Sequence, residues 1–354
     1  METLAHQPLN LAPEDYPKVC VIIPARNEAE VLPRTLRSLV EQDYPGTATI
    51  LLIDDNSTDD TNAIAQSFAD VTVIPGEPLP PGWTGKLWAM EQGVRYSQMQ
   101  QPDYYLFTDA DIQHPASNIM QLVQKAEAED LELVSLMVKL NCTSLWEELL
   151  VPAFIFFFQK LYPFPWVNNP QKTMAAAAGG CILICHEALT RIGGLDRLRH
   201  ALIDDCTLAE AVKSTGNGRI WLGLSQSTIS LRSYTTLQPI WDMVARTAFT
   251  QLNYSPLLLL GTLLGMTLVY LMAPLSIAWG SLRGEPAIAI VGVLTWGLMA
   301  IAYAPTLKLY GQPIWKGLGL PAIATLYSLM TLDSARRHWQ GKGGQWKGRS
   351  YAQG

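Results

Sequence analysis

A framework of paired cysteines is missing from this sequence. The five present, Cys20, Cys142, Cys181, Cys185 and Cys206, are odd in number and form no C-x-x-C pair, which excludes a zinc ribbon or a disulfide-stapled fold and fits a reducing compartment. A broad cationic face is missing too. Residues 1–249 hold 17 Lys and Arg against 29 Asp and Glu, and the one basic run lies in residues 334–354, with five cations and no acid. Binding a nucleic acid by phosphate neutralisation needs far more positive surface, so no nucleic-acid partner is expected. The first 18 residues, METLAHQPLNLAPEDYPK, lack a basic region followed by an apolar run, so no cleavable secretory signal is expected. Charge is scarce, at 16% of 354 residues against 49% hydrophobic, with a mean hydropathy of +0.12; disorder is excluded on that balance.

What is abundant is apolar length near the C-terminus. Residues 256–279 carry no charge over 24 positions, enough to cross a hydrocarbon core of about 30 Å. Residues 287–305 form a second candidate, joined to the first by a short polar link at 281–286, which predicts a helical hairpin. A third run, 317–332, is shorter and contains Pro321, so it reads as a short span or a re-entrant element. The positive-inside rule wants the basic tail in the cytoplasm, and two crossings with a re-entrant third run keep it on the same side as the preceding domain. The alternative is a buried helical core of a soluble protein. The expected organisation is an N-terminal tail (1–17), a globular domain (18–250), a membrane region of two or three helices (254–333) and a basic tail (334–354).

The globular part alternates. VCVIIP at 19–24 reads as a strand and 29–41 as a helix with Val31, Leu32, Leu36, Leu39 and Val40 on one face; the pattern repeats from 49–53, 71–74 and 104–108. Alternating strands and helices predict an α/β fold with a parallel sheet, whose ligands bind beyond the carboxyl ends of the strands. Acids collect there: Asp54 and Asp55 close the second strand, Asp109 and Asp111 the fourth. Two carboxylates one residue apart can share Mg²⁺ or Mn²⁺, which in turn takes phosphate oxygens. Ser57 and Asp60 also have the spacing of a helix capping box, a structural use of the same polar run.

PARNE (24–28), DDNSTD (54–59), GWTGKLWA (82–89) and DAD (109–111), in this order and spacing, together resemble the family 2 glycosyltransferases of the GT-A fold. The similarity covers roughly 19–250. It implies a Rossmann-like, mostly parallel catalytic sheet followed here by transmembrane helices. Ala25, Arg26, Glu28 and the strand-two acids Asp54 and Asp55 would hold the nucleoside, Asp109 and Asp111 the ribose and a metal-bound diphosphate, with Asp111 the direct ligand, and Lys86 would face the phosphates. Asp204 and Asp205, opening the helix in ALIDDCTLAEAV, resemble the family's acidic pair, usually Glu-Asp, which makes Asp205 the general base and Asp204 its neighbour. Gly179 and Gly180 in AAAAGGCILI match the segment that lets the acceptor approach. The family's Q-x-x-R-W keeps only Arg246, which would meet the diphosphate, and the missing Trp argues against a processive polysaccharide synthase.

The aromatic segment 144–166 reads as an interfacial element near a lipid's route, or as an ordinary core helix. ARTAFTQL (245–252) and GGQWKGRSY (343–351) look like the hopene-associated subgroup, with Trp346, Lys347 and Arg349 folding over the acceptor side or resting on anionic lipid. The resemblance implies a multi-pass membrane enzyme with its catalytic domain on the cytoplasmic side. It would use a nucleotide-diphosphate sugar, UDP being the usual carrier, and a lipid hydroxyl, hopanoid or otherwise, with inversion. Alternatives are a polyprenyl-phosphate sugar transferase and a non-catalytic nucleotide-binding membrane scaffold.

Overall fold

The structure, a computed structural model, describes residues 13–341 and a two-stranded ladder at 345–346 and 349–350. The first half alternates as expected: β1 (Val19–Ala25), α1 (Leu32–Val40), β2 (Ala48–Asp54), α2 (Thr61–Gln66), β3 (Val71–Pro75), α3 (Gly85–Ser97), β4 (Tyr104–Thr108), β5 (Ile112–Gln113), α4 (Asn118–Glu129) and β6 (Leu133–Lys139). It continues through α5 (Leu145–Leu161), α6 (Phe164–Val167), β7 (Cys181–Cys185), α7 (His186–Arg191), α8 (Asp204–Thr215), β8 (Ile220–Ser230) and α9 (Leu237–Thr247). The C-terminal helices are α10 (Pro256–Met266), α11 (Met272–Arg283), α12 (Pro286–Leu309) and α13 (Leu320–Trp339).

Eight strands form one sheet in the order β3-β2-β1-β4-β7-β6-β8-β5. The sheet is mostly parallel, as expected, with four parallel pairings to three antiparallel, and so is mixed. β1, β2, β3 and β4 pair in parallel, as do β6 and β8, but β7 runs antiparallel between β4 and β6, and β5 antiparallel to β8. The reversal positions the site. Because β7 begins where β4 ends, Cys181 opposite Thr108, the loop that feeds β7 lies beside the loop that leaves β4. Both faces of the sheet are covered by apolar cores, one holding Ile22, Leu51, Phe107 and Ile182, the other Val21, Leu52, Leu106 and Leu183. The near-continuous apolar strands follow from that double burial.

α5 joins the domain to the C-terminal helices. Ser144 and Glu147 form a capping box at its start, and Val151 and Ile155 pack into the sheet's core while Leu150, Ala153 and Phe156 pack with Tyr303, Ile323 and Tyr327. The segment 144–166 is thus largely core, with Leu145, Leu161 and Trp166 its exposed apolar side chains. The capping box expected at Ser57 and Asp60 does not form. Asp54 accepts from the Ser57 amide at 3.0 Å, and the Asp59 carboxylate takes the Thr61 amide at 3.1 Å, because the polar loop closes on itself before α2 begins.

Residues Pro256–Arg283 and Pro286–Leu309 are long and apolar enough to cross a membrane. The first is α10 and α11 joined by a π-helical turn at Thr267–Leu271, just ahead of Pro274, whose ring a regular α-helix would crowd. Gly284, at φ +70, ends α11 in the left-handed conformation, and Pro286 opens α12, a cap and restart that make the hairpin tight. These helices show their apolar side chains outward, Leu268 and Ile301 among them, unlike helices in a soluble core. The third apolar run is neither short nor separate: α13 continues to Trp339 and packs on α5 and α9, so residues 334–339, expected in the tail, are helical.

Candidate functional site

The first two strand-end loops are stitched together. The backbone amides of Asn27, Glu28 and Ala29 donate to Ser57, Thr61 and Asp59, and Asn27 Oδ1 accepts from the Thr58 amide. Arg26 donates to the backbone carbonyl of Asp55 at 2.5 Å, and Asp54 holds Ser57 and Asn62. Asn27 and Asn56, both near φ +53, turn the chain where few other residues would.

A cavity of about 720 Å³ opens beyond these loops. Pro24, Glu28, Lys86, Asp109, Asp111, Gly179, Gly180, Asp204, Asp205 and Arg246 all line it, so the structure brings together most of the residues singled out in the sequence. Ala25, Arg26, Asp54 and Asp55 are not on its wall; they end β1 and β2 and shape the adjoining loops. The side chains of Trp346, Lys347 and Arg349 lie outside the described residues.

Each acid of the D-x-D carries its own cation. Lys86 Nζ lies 2.6 Å from Asp109 Oδ1 and 4.0 Å from Asp204. Burial alone would lower the Lys86 ammonium's pKa, but Asp109, Asp204 and Asp205 outweigh it and hold the pKa above its ordinary value. Asp111 Oδ2 accepts from Arg232 Nε at 2.8 Å, and the same guanidinium reaches Glu28 at 3.0 Å. Sequence reasoning missed Arg232. It reaches the site because β5 pairs with β8, Ile112 opposite Ser230, and the Leu231 amide donates to the Asp111 carbonyl at 2.7 Å. The only local signal was a polar SLRSY following an apolar strand.

Asp204 and Asp205 occupy the first turn of α8, where the helix dipole favours carboxylates. Asp205 Oδ2 accepts from the Gly179 amide at 2.8 Å and Oδ1 from the Cys206 amide at 2.8 Å. Burial, and then the neighbouring Asp204 charge, push its pKa up to about 6 against the pull of Lys86 and the two amides. A Cβ on Gly179 would meet Lys86 Nζ at 3.2 Å and Asp205 Oδ2 at 3.4 Å, so a side chain there would crowd the lysine and the acid. Beneath it, Asn118 donates to His114, His114 meets Thr108 Oγ1 at 2.9 Å, and Thr108 donates to the Gly180 carbonyl. Burial pulls the His114 pKa down to about 3, which keeps the ring neutral in this relay.

The same cavity also has apolar wall, with Met137, Leu140, Phe154, Phe158 and Met243 lining it. Arg246 lines the cavity too, without a hydrogen bond or ion pair among the described residues, whereas Arg337 from α13 is held by Asp242 and Asp333, each at 2.7 Å.

The acidic part of the wall carries Glu28, Asp109, Asp111, Asp204 and Asp205 against Lys86 and Arg232, an acidic excess that repels a diphosphate unless a cation offsets it. No group of three or more His, Cys, Asp or Glu gathers as a metal cage among the described residues. Mg²⁺ and Mn²⁺ need none, because one or two carboxylates suffice when substrate phosphates and water complete the shell. Asp109 and Asp111 fit that use.

A mixed sheet of this order, with a D-x-D at the end of β4 and an acid pair that shares Lys86 with it, is a GT-A-like glycosyltransferase fold. Residues 20–193 match the profile of "Glycosyl transferase family 2", so the chain carries a glycosyltransferase family 2 domain. It is 31% identical over 98 residues to the 4,4'-diaponeurosporenoate glycosyltransferase of Staphylococcus aureus, a match that covers 28% of this chain and a quarter of that protein's length. The mannosyltransferase PcManGT from Pyrobaculum calidifontis, solved with GDP-Man and Mn²⁺, shares the fold at a TM-score of 0.53 and 18% identity, over 94% of this chain and 90% of that one.

Proposed function

We propose that this protein is a membrane-anchored, inverting glycosyltransferase that moves a sugar from a nucleotide diphosphate, UDP first, onto the hydroxyl of a lipid, of which a hopanoid is the leading candidate. The observation that carries the reading is Asp205. It is a carboxylate with its pKa raised toward neutrality, held by the Gly179 amide on the cavity wall shared with the D-x-D acids. A base poised near working pH can take a hydroxyl proton as the oxygen attacks the anomeric carbon. In that displacement the acceptor oxygen forms a bond to C1, the bond to the diphosphate oxygen breaks, and Asp205 keeps the proton. Asp204 and Lys86 orient the base and the donor; Lys86 and Arg246 offset the charge of the leaving diphosphate. Mg²⁺ or Mn²⁺ on Asp109 and Asp111 would neutralise the diphosphate. Ala25, Arg26, Glu28, Asp54 and Asp55 form the nucleoside end, and Gly179 and Gly180 give the acceptor close backbone approach.

A lipid acceptor is supported by the apolar wall of the cavity, by the outward apolar helices and by the carotenoid-type relative. With two crossings, the hairpin of α10–α12 returns the chain to the side of the catalytic domain, where α13 docks and Arg337 reaches the cavity; the basic tail then lies in the cytoplasm. A polyprenyl phosphate is the second reading, favoured by Arg246, a cation on the cavity wall with no hydrogen bond or ion pair among the described residues.

The test is to incubate membranes containing the wild type or Asp205→Asn with Mn²⁺ and labelled UDP- and GDP-sugars, then measure label in the organic extract. Label that depends on Asp205 supports the hydroxyl reading and names the sugar. Label retained by Asp205→Asn with a polyprenyl phosphate supports the second. No label from any donor, in extracts holding both lipid classes, defeats both.

A further inference from the structure

Arg232 is a charged group of the cavity that the reading above does not use. Its guanidinium does two things at once: Nε donates to Asp111 Oδ2 at 2.8 Å, and a terminal nitrogen donates to both oxygens of Glu28, at 3.0 and 3.3 Å. Ser230 Oγ also faces Asp111 Oδ2, at 3.5 Å. The two carboxylates raise the guanidinium's pKa above its ordinary value despite burial, so it remains a fixed positive charge between them. Its backbone is fixed as well. The Leu231 amide is bonded to the Asp111 carbonyl, and three residues on the Tyr234 amide donates at 2.5 Å to Glu147, a fully buried carboxylate at the start of α5. The Tyr234 carbonyl accepts from Ser144 at 2.9 Å. The loop cannot drift, so the guanidinium returns to the same two acids.

Asp111 is also one of the two acids that would hold the divalent cation in the proposed reaction. A fork of this kind binds carboxylates with directed, charge-assisted bonds, and a cation arriving alone has to break them while leaving Arg232 positively charged beside it. A cation arriving with a diphosphate brings a negative partner that the displaced guanidinium can face. We propose that Arg232 is a resident counter-ion of the D-x-D: it occupies the cation's place on Asp111 in the nucleotide-free protein, and it couples binding of the divalent cation to binding of the nucleoside diphosphate. Free metal is thereby kept off the acids until the donor arrives.

This inference depends on the cation and the nucleotide, and not on any acceptor or on turnover, so it can fail while the proposed reaction stands. The experiment titrates Mn²⁺ into the full chain in detergent, followed by the paramagnetic resonance of free Mn²⁺, with and without saturating UDP or GDP. In the wild type, the better-bound of the two nucleotides is expected to tighten Mn²⁺ by about 5- to 150-fold, the usual span of coupling between two ligands. In Arg232→Met, Mn²⁺ alone is expected to bind at least about tenfold tighter than in the wild type, with the coupling to nucleotide largely lost. Arg232→Lys keeps the charge but cannot serve Asp111 and Glu28 together, and it should fall between the two. If Arg232→Met does not fold, judged by circular dichroism, the lysine variant carries the comparison. Unchanged Mn²⁺ affinity in the nucleotide-free variant, or coupling as large as in the wild type, overturns the proposal.

Discussion

Two parts of the cavity wall are built on opposite principles. In one, Asp109, Asp111 and Asp205 are each answered, by Lys86, by Arg232 and by the amides of Gly179 and Cys206. In the other the walls are Phe154, Phe158 and Met243, and Arg246 lines the cavity with no hydrogen bond or ion pair among the described residues. Directed bonds fix where a phosphate or a proton goes, because each is worth most when its partner is fixed in advance. Apolar walls fix little beyond volume, and a long lipid needs little more. The contrast teaches that the chemistry and the choice of acceptor are separable here, and each can be altered without the other.

The largest effect should come from the acidic part. Asp205→Asn is expected to lower turnover by about 10²- to 10⁴-fold while Mn²⁺-dependent nucleotide binding, followed by calorimetry, stays close to wild type; turnover near normal would remove Asp205 from the base role. The same group sets a pH limb. Its pKa in the ligand-free protein is raised to about 6 and the proposed base must be deprotonated, so kcat/KM should be level above that pH and fall about tenfold per unit below it. A flat profile down to pH 5 would mean that the proton goes elsewhere. Gly179→Ala puts a Cβ against Lys86 and Asp205. Losing that amide contact should cost about 1.5–3 kcal/mol, seen as a fall in kcat of about 10- to 100-fold. The smallest change belongs to the apolar part: Phe158→Ala should raise KM for the lipid by roughly 5- to 30-fold, on the order of 1–2 kcal/mol of lost burial, and leave nucleotide binding alone. If Phe158→Ala instead weakens the nucleotide, the two parts are not separable.

Much of the acidic part was legible because its pieces are local in sequence. Asp109 and Asp111 flank a single residue at a strand end, Asp204 and Asp205 open a helix, and Lys86, expected in a Gly-flanked loop, lies in the first turn of α3; strand periodicity located the first loops, and the family resemblance singled out Lys86, Asp204 and Asp205. The reversal of β7 was not legible, since CILIC reads the same in either direction. Nor was Arg232, whose place depends on Ile112 meeting Ser230 across more than a hundred residues. The aromatic segment 144–166 was ambiguous for a related reason. Its composition suits both a membrane interface and a core, and only the partners on its two faces, Val151 with the sheet and Phe156 with Tyr303, decide between them.

By itself the sequence determined the alternation of strands and helices, the acids at the strand ends, the glycines beside β7 and the apolar length of the C-terminal helices. Each of these is written in short-range pattern, and short-range pattern is what backbone geometry and burial read directly. The tertiary structure alone decided which cation meets which acid. It joined Arg232 to Asp111 and Glu28, set Gly179 against Asp205, and turned α13 back so that Arg337 reaches the cavity. Such contacts span distant parts of the chain and arise only when the strands and helices pack, because charge pairing follows proximity in space.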